Sequence, residues 1–254
     1  MEIRFDNKVV LVTGASRGIG KAVAMQFAAA GAIVAAHYNS NHEAAKTLLA
    51  SLPGHGHICL PADLGDPSEI EKLAHTLFKL FGHTDILVNN AGVFSEKNMA
   101  SMTFRAFKQY WDRTISVNLS GPAFLSQMIS GQMLKQGGGK IVNISSRGAF
   151  RGEPDSWAYG ASKAGLNSLG QSMAKALAPH GVYVYTLAPG FVETDMTRTS
   201  LKGKRRIQIQ GQSPMNRVAK PDEIAQAVLM LCADGNEYMT GCIVDMNGAS
   251  YLRS

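Results

Sequence analysis

The chain has 254 residues, a formal net charge of +6, a pI near 9.2 and 45% hydrophobic residues. No stretch approaches the ~20 apolar residues that span a bilayer, and the acidic start lacks the apolar segment of a secretory signal. We therefore expect a cytoplasmic globular protein with no membrane partner, folded as a single domain over residues 1–254. The three cysteines are far apart, so neither a disulfide framework nor a CxxC site is predicted.

The positive charge can reflect nucleic acid, an acidic protein or a phosphate-bearing ligand. The densest basic segment, residues 202–206, lacks the interleaved aromatic side chains that stack on single-stranded bases. We therefore expect no nucleic-acid partner. His55 and His57 form the only close histidine pair of the sequence. They alternate with glycines and have no third ligand nearby, so no metal site is predicted.

Short apolar strands alternate with helices along the whole chain. The strands are predicted at 8–13, 32–37, 57–60, 85–88, 140–144, 183–187 and 242–246, and the helices at 21–30, 41–52, 67–81, 102–136, 158–178 and from 221 onward. The strands are rich in apolar residues without polar alternation, as in a parallel sheet covered on both faces. This order predicts an α/β fold, namely a single-domain, Rossmann-type, doubly wound parallel sheet of about seven strands with helices on both faces.

A glycine-rich turn joins the first strand to the first helix. Glycines allow the backbone to approach a pyrophosphate, and the free amides at a helix N-terminus attract it. The glycine spacing fits neither the GxGxxG fingerprint nor the P-loop pattern. The turn nevertheless predicts a nucleotide site formed by Gly14, Ser16, Arg17, Gly18, Ile19 and Gly20.

The second strand ends in Tyr38, Asn39 and Ser40, with no acidic residue at that end. An acid there would bind a free ribose 2′-hydroxyl, whereas a 2′-phosphate requires positive charge and hydrogen-bond donors. Arg17 could pair with the phosphate, and Asn39 and Ser40 could donate hydrogen bonds to it. The sequence therefore favours NADP(H) over NAD(H), with Tyr38 included in the predicted site.

Tyr159 and Lys163 lie four residues apart at the start of a predicted helix. This spacing places both side chains on one helix face. A positive charge stabilises a phenolate, so Lys163 is expected to lower the pKa of Tyr159. Ser145 and Ser146 follow the fifth strand, at the sheet edge where open α/β sheets bind ligands.

Several motifs together resemble the short-chain dehydrogenase/reductase family over essentially the whole chain. They are the TGxxxGxG turn that begins at Thr13, the Asn89–Gly92 element and the Tyr159/Lys163 pair. The resemblance implies hydride transfer between C4 of a nicotinamide and a carbonyl or alcohol carbon. Ser146 stands at the family's customary distance from Tyr159, with Ser145 as the neighbouring alternative.

The resemblance also implies a role for each catalytic residue. Ser146 would hydrogen-bond the carbonyl oxygen, and Tyr159 would donate its proton to that oxygen. Lys163 would lower the pKa of the phenol and hold the nicotinamide ribose. Asn118 would kink its helix and support a water that links Lys163 to solvent.

Further cofactor contacts follow from the same resemblance. Asp63 would bind the adenine amino group, and Pro189 and Gly190 would shape the nicotinamide pocket. The main chain of Val192, together with Thr194, would lie at the carboxamide of the nicotinamide. The remaining expected cofactor contacts are Leu64, Asn90, Ala91, Gly92, Tyr159 and Lys163.

Within the family, residues 188–196 and 238–241 are most similar to the 3-oxoacyl-acyl-carrier-protein reductases of fatty acid biosynthesis. A basic chain suits an acidic partner such as acyl carrier protein. The chain departs from those reductases at two positions where they commonly carry a basic residue. The first position, commonly an arginine, is His180 here, and the second falls near Gly137. A carrier-free substrate such as a small ketone, sugar or polyol is the alternative, and a catalytically silent NADP-binding sensor is a further one.

Two larger-scale expectations complete the prediction. Residues 195–218 are polar and basic, and they lie where enzymes of this kind keep a mobile substrate lid. The resemblance implies a homotetramer, with Met173 and Leu177 as interface residues.

Overall fold

The computed structural model describes residues 3–198 and 200–253. These residues form one seven-stranded parallel sheet in the order β3-β2-β1-β4-β5-β6-β7. The strands are β1 Val9–Val12, β2 Ile33–Tyr38, β3 Ile58–Pro61, β4 Ile86–Asn89, β5 Gly139–Ile144, β6 Val182–Pro189 and β7 Ile243–Met246. β2 and β3 are added on one side of β1, and β4 to β7 are added on the other side. This reversal of strand order creates a crevice at the carboxyl ends of β1 and β4.

Helices cover both faces of the sheet. They are α1 Gly18–Ala29, α2 His42–Ser51, α3 Pro67–Phe81, α4 Phe104–Ile115, α5 Gly121–Gln136, α6 Gly148–Arg151, α7 Trp157–Leu177, α8 Gly203–Gln210 and α9 Pro221–Cys232, with 3₁₀ turns at Met99–Ser101, Ala178–His180 and Glu237–Met239. The predicted single-domain α/β fold with a doubly wound parallel sheet is confirmed.

The helix predicted over 102–136 is not continuous. The structure divides it into α4 and α5, which are joined by a π-helical turn at Ser116–Ser120. A π turn inserts one extra residue into the helical ladder and often marks a functional position. Asn118 lies in this turn, and its side chain bonds to the main chain of Val93 in another segment, which accounts for the local change.

The hydrophobic core has two halves on opposite faces of the sheet. In β1, Val10 and Val12 belong to the half that includes α1 and α9, and Leu11 belongs to the half that includes α3 and α5. This alternation follows from the two-residue period of a strand. Met173 and Leu177 pack, partly buried, against the second half. Both side chains also keep part of their surface exposed, so their place in a subunit interface stays a prediction.

The segment 195–218 contains α8, which the sequence did not predict. Most residues of α8 are charged or polar, and its two isoleucines differ in environment, since Ile207 is exposed and Ile209 is buried. A helix with so few apolar residues has no periodic signal to read.

No helix in the described ranges is long and apolar enough to cross a membrane. Across residues 3–198 and 200–253, no group of three or more His, Cys, Asp or Glu side chains could hold a metal ion. The three cysteines are free thiols. Burial raises the pKa of Cys232 to about 12, so this thiol stays protonated at neutral pH.

Candidate active site

A cavity of about 460 Å³ lies at the carboxyl ends of the strands, beside the crevice between β1 and β4. Most residues predicted for the site line it together: Gly14, Ser16, Arg17, Gly18, Ile19, Asn39, Ser40, Asp63, Leu64, Asn90, Ala91, Gly92, Ser146, Tyr159, Lys163, Pro189, Gly190, Val192 and Thr194. Three described residues of the predicted site, Gly20, Tyr38 and Asn118, lie outside this lining.

The glycine turn is built for close packing against the loop after β4. Gly14 has φ +64°, and a Cβ there would lie 2.9 Å from Cα of Ala91. A Cβ on Gly20 would lie 2.3 Å from the Gly14 carbonyl oxygen. Gly20 is therefore required beneath the turn rather than at the cavity surface.

Thr13 and Asn90 fasten the glycine turn to the end of β4. The Thr13 hydroxyl oxygen accepts hydrogen bonds from the main-chain amides of Asn90 at 2.9 Å and Ala91 at 3.0 Å. The Asn90 side-chain amide donates to the Thr13 carbonyl at 2.8 Å. Asn90 thus positions the turn as well as lining the cavity.

Arg17, Asn39 and Ser40 line one end of the cavity with exposed side chains. Tyr38 does not share this placement, because adjacent residues of a strand point to opposite faces. Its side chain is buried, and its hydroxyl hydrogen-bonds to His42 Nδ1 at 2.7 Å. His37, and not Tyr38, belongs to the cavity lining, so a cofactor contact of Tyr38 stays a prediction.

Asp63 lines the cavity at the same end and is held by Arg113. Arg113 Nη1 donates to both carboxylate oxygens, at 3.0 and 2.8 Å, and the Gly65 amide donates to one of them at 2.8 Å. Partial burial acts to raise the pKa of Asp63, but these hydrogen bonds prevail and lower it. A Cβ on Gly65 would lie 2.4 Å from Arg113 Nη1, so a larger residue there would disturb the ion pair.

The structure distinguishes the two serines that follow β5. Ser145 is buried, and its hydroxyl donates to the main-chain carbonyl of Lys163 at 3.3 Å. Ser146 lines the same cavity as Tyr159, where its hydroxyl acts to lower the pKa of the phenol, and its hydroxyl oxygen accepts the Gly148 amide at 3.0 Å. Of the two serines, Ser146 is the one whose hydroxyl acts on the pKa of Tyr159.

Lys163 is buried, and its ammonium donates to the Ile144 carbonyl at 2.8 Å. Its nitrogen lies 5.8 Å from the centroid of the Tyr159 ring. Burial lowers the pKa of Lys163 to about 8. The Lys163 charge is therefore directed at a carbonyl rather than at the phenol.

The pKa of Tyr159 is raised, chiefly by burial, although the hydrogen bond with Ser146 acts to lower it. The nearby Glu153 carboxylate also acts to raise it. The predicted lowering of the Tyr159 pKa by Lys163 is therefore not found in the protein without a cofactor. The phenol is protonated at neutral pH.

Asn118 is buried in the π-helical turn and bonds to the loop after β4. Its Oδ1 accepts the Val93 amide at 2.8 Å, and its Nδ2 donates to the Val93 carbonyl at 2.9 Å. A Cβ on Gly92 would lie 3.3 Å from Asn118 Oδ1 and 3.7 Å from Lys163 Nζ. Asn118 therefore holds the loop after β4 against the helix that carries Lys163.

Sequence reasoning missed several polar residues of the cavity lining, among them His37 and Arg113. His37 is the last residue of the predicted second strand, and a polar residue at that end was a usable signal. Arg113 gave no comparable signal, because a charged residue on an amphipathic helix is usually solvated. Its partner Asp63 is 50 positions away along the chain.

Comparison with known proteins identifies the family. Residues 14–248 match a family model described as enoyl-(acyl carrier protein) reductase. The chain is 37% identical to the 3-oxoacyl-acyl-carrier-protein reductase of Aquifex aeolicus, over 99% of this chain and 100% of that one. It is 36% identical to the enzyme of the same name from Thermotoga maritima, over 97% and 98%. The chain belongs to the short-chain dehydrogenase/reductase family.

Solved structures of this family share the fold over nearly the whole chain. A dehydrogenase/reductase from Sinorhizobium meliloti matches with a TM-score of 0.91 at 29% identity, covering 99% of this chain and 98% of that one. A proposed NAD(P)-dependent gluconate 5-dehydrogenase from Beutenbergia cavernae, solved with NADP at low occupancy, matches with a TM-score of 0.89 at 30% identity, covering 98% and 99%. The protein is thus an oxidoreductase of a family that uses NAD or NADP.

Proposed function

We propose that the protein uses NADPH to reduce the keto group of a 3-oxoacyl thioester to a secondary alcohol. The observation that carries the proposal is that Ser146, Tyr159 and Lys163 line a single cavity, with Lys163 Nζ 5.8 Å from the centroid of the Tyr159 ring. The glycine turn at the N-terminus of α1 supports a dinucleotide in the same cavity, because it lines the cavity and a helix N-terminus attracts a pyrophosphate.

The proposed chemistry divides between the cofactor and the chain. NADPH, when bound, supplies the hydride that adds to the carbonyl carbon. Ser146 holds the carbonyl oxygen, and Tyr159 gives its proton to that oxygen as negative charge develops there. Because burial raises the pKa of Tyr159, the phenol carries the proton that this step requires. Lys163 supplies positive charge near the phenolate that remains.

The proposed preference for NADPH rests on the cavity end formed by Arg17, Asn39 and Ser40. Arg17→Ala should raise the KM for NADPH by about 10-fold or more, since a hydrogen bond to a charged group contributes about 1.5–3 kcal/mol. The KM for NADH should stay the same. Lys21→Ala is the matched control, because Lys21 is a cation of the same helix outside this cavity. Equal kcat/KM values for NADPH and NADH in the unchanged protein would contradict this preference.

Two substrate classes compete for the site. The carrier-bound thioester is supported by full-length relatives named 3-oxoacyl-acyl-carrier-protein reductase and by the net charge of +6, which suits an acidic carrier. A carrier-free sugar or polyol is supported by the structural neighbour described as a gluconate dehydrogenase. The first class has the higher sequence identity, 37% against 30%, so we propose it.

The deciding experiment measures NADPH oxidation with acetoacetyl-acyl carrier protein, acetoacetyl-coenzyme A, a diketone, a keto-sugar acid and a crotonoyl thioester. We expect the highest kcat/KM with the two acetoacetyl thioesters and no reduction of the crotonoyl double bond. Tyr159→Phe should lose about 100-fold or more of the turnover. Its Kd for NADPH should change little, because only a hydroxyl is lost. A keto-sugar preference would establish the carrier-free alternative, and NADPH binding without any turnover would indicate a sensor.

A further inference from the structure

Two consecutive amides of the glycine turn donate to a single residue, His37. The Gly14 amide donates to His37 Nδ1 at 3.0 Å. The Ala15 amide donates to the His37 carbonyl oxygen at 2.8 Å. The imidazole is 2% exposed and lines the cavity. The turn that faces the cofactor is therefore supported from behind by a buried side chain.

The other ring nitrogen of His37 reaches the opposite wall of the cavity. Nε2 lies 3.0 Å from the carbonyl oxygen of Ala62, the residue before Asp63. A carbonyl oxygen only accepts, so Nε2 must carry the proton, which leaves Nδ1 as the acceptor for Gly14. Burial lowers the pKa of His37 to about 4, so this neutral form persists at neutral pH. Both hydrogen bonds are satisfied by one tautomer.

The strand order explains why one side chain can bridge these two walls. β2 lies between β1, which leads into the glycine turn, and β3, which leads to Asp63. His37 is near the carboxyl end of β2, and its side chain can therefore reach both neighbouring loops. The two loops would contact different parts of a dinucleotide, the pyrophosphate and the adenine.

We propose that His37 is a positioning residue that fixes the spacing between the glycine turn and the Asp63 loop, and thereby sets the affinity for the dinucleotide cofactor. The proposal rests on the proposed function, because it assumes that this cavity holds NADPH or NADH. Since His37 acts on the turn and the adenine wall rather than on a 2′-phosphate, it should affect both cofactors equally. Arg17 should affect only NADPH.

The chain contains a matched control in His57. The Val34 amide donates to His57 Nδ1 at 3.0 Å, and His57 Nε2 lies 2.9 Å from the Pro53 carbonyl oxygen. His57 therefore makes the same pair of backbone hydrogen bonds as His37. It lies outside the cavity lining, near the amino-terminal end of β2. Changes at either histidine should lower the stability of the protein. Only changes at His37 should also lower its affinity for the cofactor.

The experiment compares Kd values for NADPH and NADH, by fluorescence titration, for the unchanged protein and for variants at both histidines. His37→Leu removes both hydrogen bonds, His37→Asn retains an acceptor near Nδ1, and His37→Gln retains a donor near Nε2. Each lost hydrogen bond should raise both Kd values by about 3- to 10-fold, and His37→Leu should raise them most. His57→Leu should change them by less than about 2-fold. Melting temperatures of the cofactor-free variants verify folding, and if His37→Leu fails to fold, the Asn and Gln variants decide.

The outcomes separate this inference from the proposed function. If the unchanged protein binds NADPH or NADH but the His37 variants bind equally well, the positioning role is wrong. An equal rise in Kd for the His57 variant also overturns it, since both changes would then act through general stability. If the unchanged protein binds neither cofactor, the proposed function fails and this inference fails with it.

Discussion

Lys163 is a buried cation whose main contact in the protein alone is a carbonyl oxygen, that of Ile144. Burial disfavours the charged form and lowers the pKa of the side chain from 10.5 to about 8. Folding at neutral pH must therefore remove a charged ammonium from water. A lysine held in this way should reduce the stability of the protein, as is common for residues retained for function, and catalysis is the role proposed for Lys163.

Lys163→Met should raise the free energy of unfolding at pH 7 while it abolishes turnover. The shift from 10.5 to about 8 corresponds to roughly 3 kcal/mol, and the lost hydrogen bond to Ile144 offsets about 1 kcal/mol of it. The unchanged protein binds its proton less tightly than the unfolded chain, so its stability should rise between pH 8 and 10.5. The advantage of the variant should shrink over that interval.

Urea denaturation at a series of pH values measures this effect. Lys175→Met is the matched control, because Lys175 is exposed on the same helix. It should alter stability little and equally at each pH. A Lys163→Met protein less stable than the unchanged one at pH 7 would show that the Ile144 hydrogen bond outweighs the burial of the charge.

Individual residues differ in how far the sequence predicts them. The Tyr159/Lys163 pair, Ser146 and the glycine turn were recognised because their spacing is local and repeats a known motif. The ionisation of Tyr159 was not predictable, because it depends on burial and on Glu153, neither of which the motif contains. The two contacts of His37 were not predictable for a similar reason, since both of its partners lie in loops that follow other strands.

At the scale of elements, we propose that residues 195–218 form the lid of the substrate cavity, with α8 as its helical part. The carboxyl end of the segment is fixed to the rest of the fold. The Ser213 hydroxyl donates to the Gly248 carbonyl at 2.5 Å, and Arg147 donates to Gln212 Oε1 at 2.5 Å. Arg147 is itself buried, so this end of the segment is anchored to the interior of the protein.

An ion pair between Arg205 and Glu96 joins the α8 helix to the loop after β4. Arg205 Nη1 donates to Glu96 Oε2 at 2.8 Å, and Nη2 donates to the other carboxylate oxygen. Glu96 belongs to the loop after β4, in which Phe94 packs edge-on against Tyr159 with ring centroids 4.9 Å apart. The side chains of the pair are 48% and 32% exposed, so water and salt can reach the contact.

Glu96→Gln should loosen the lid and speed its cleavage by trypsin at the basic residues of 202–206. Exposed ion pairs contribute about 0.2–1 kcal/mol, which corresponds to a rate increase of up to about 5-fold. Added salt should also speed the cleavage of the unchanged protein, because it screens the ion pair. Asp112→Asn, which breaks the exposed Lys108–Asp112 pair on α4, is the control and should leave cleavage unchanged. Equal cleavage rates for the unchanged protein and the Glu96 variant would contradict this role.

Element boundaries were predictable where apolar periodicity is strong and not where tertiary contacts intervene. The strands at 32–37 and 140–144 lie within one residue of β2 and β5 at each end. The break between α4 and α5 could not be read from local propensity, because it accompanies the bonds from Asn118 to Val93. A helix signal covers both sides of that break equally well.

At the scale of the whole molecule, the exposed apolar side chains include two groups on different elements. One lies around α4, α5 and the start of α7 and contains Phe104, Phe124 and Trp157. The other lies beside the edge strand β7 and contains Met230, Tyr238 and Met239. Met173 and Leu177 belong to neither group, because they are partly buried against the core. Unpaired sheet edges and exposed apolar patches commonly mark subunit contacts.

A tetramer with two kinds of two-fold interface requires two distinct surfaces on each subunit. We therefore predict a homotetramer, with a mass in solution four times the 27.2 kDa of the chain. Phe124→Glu and Met230→Glu each place a charge on one surface, so each variant should dissociate into dimers, and the double variant into monomers. Leu80→Glu is the control, because Leu80 is 56% exposed, close to the 48% of Phe124 and 54% of Met230, but lies on α3. Light scattering after size-exclusion chromatography measures these masses, and a monomeric unchanged protein, or dissociation of the Leu80 variant, would contradict the assignment of the two surfaces.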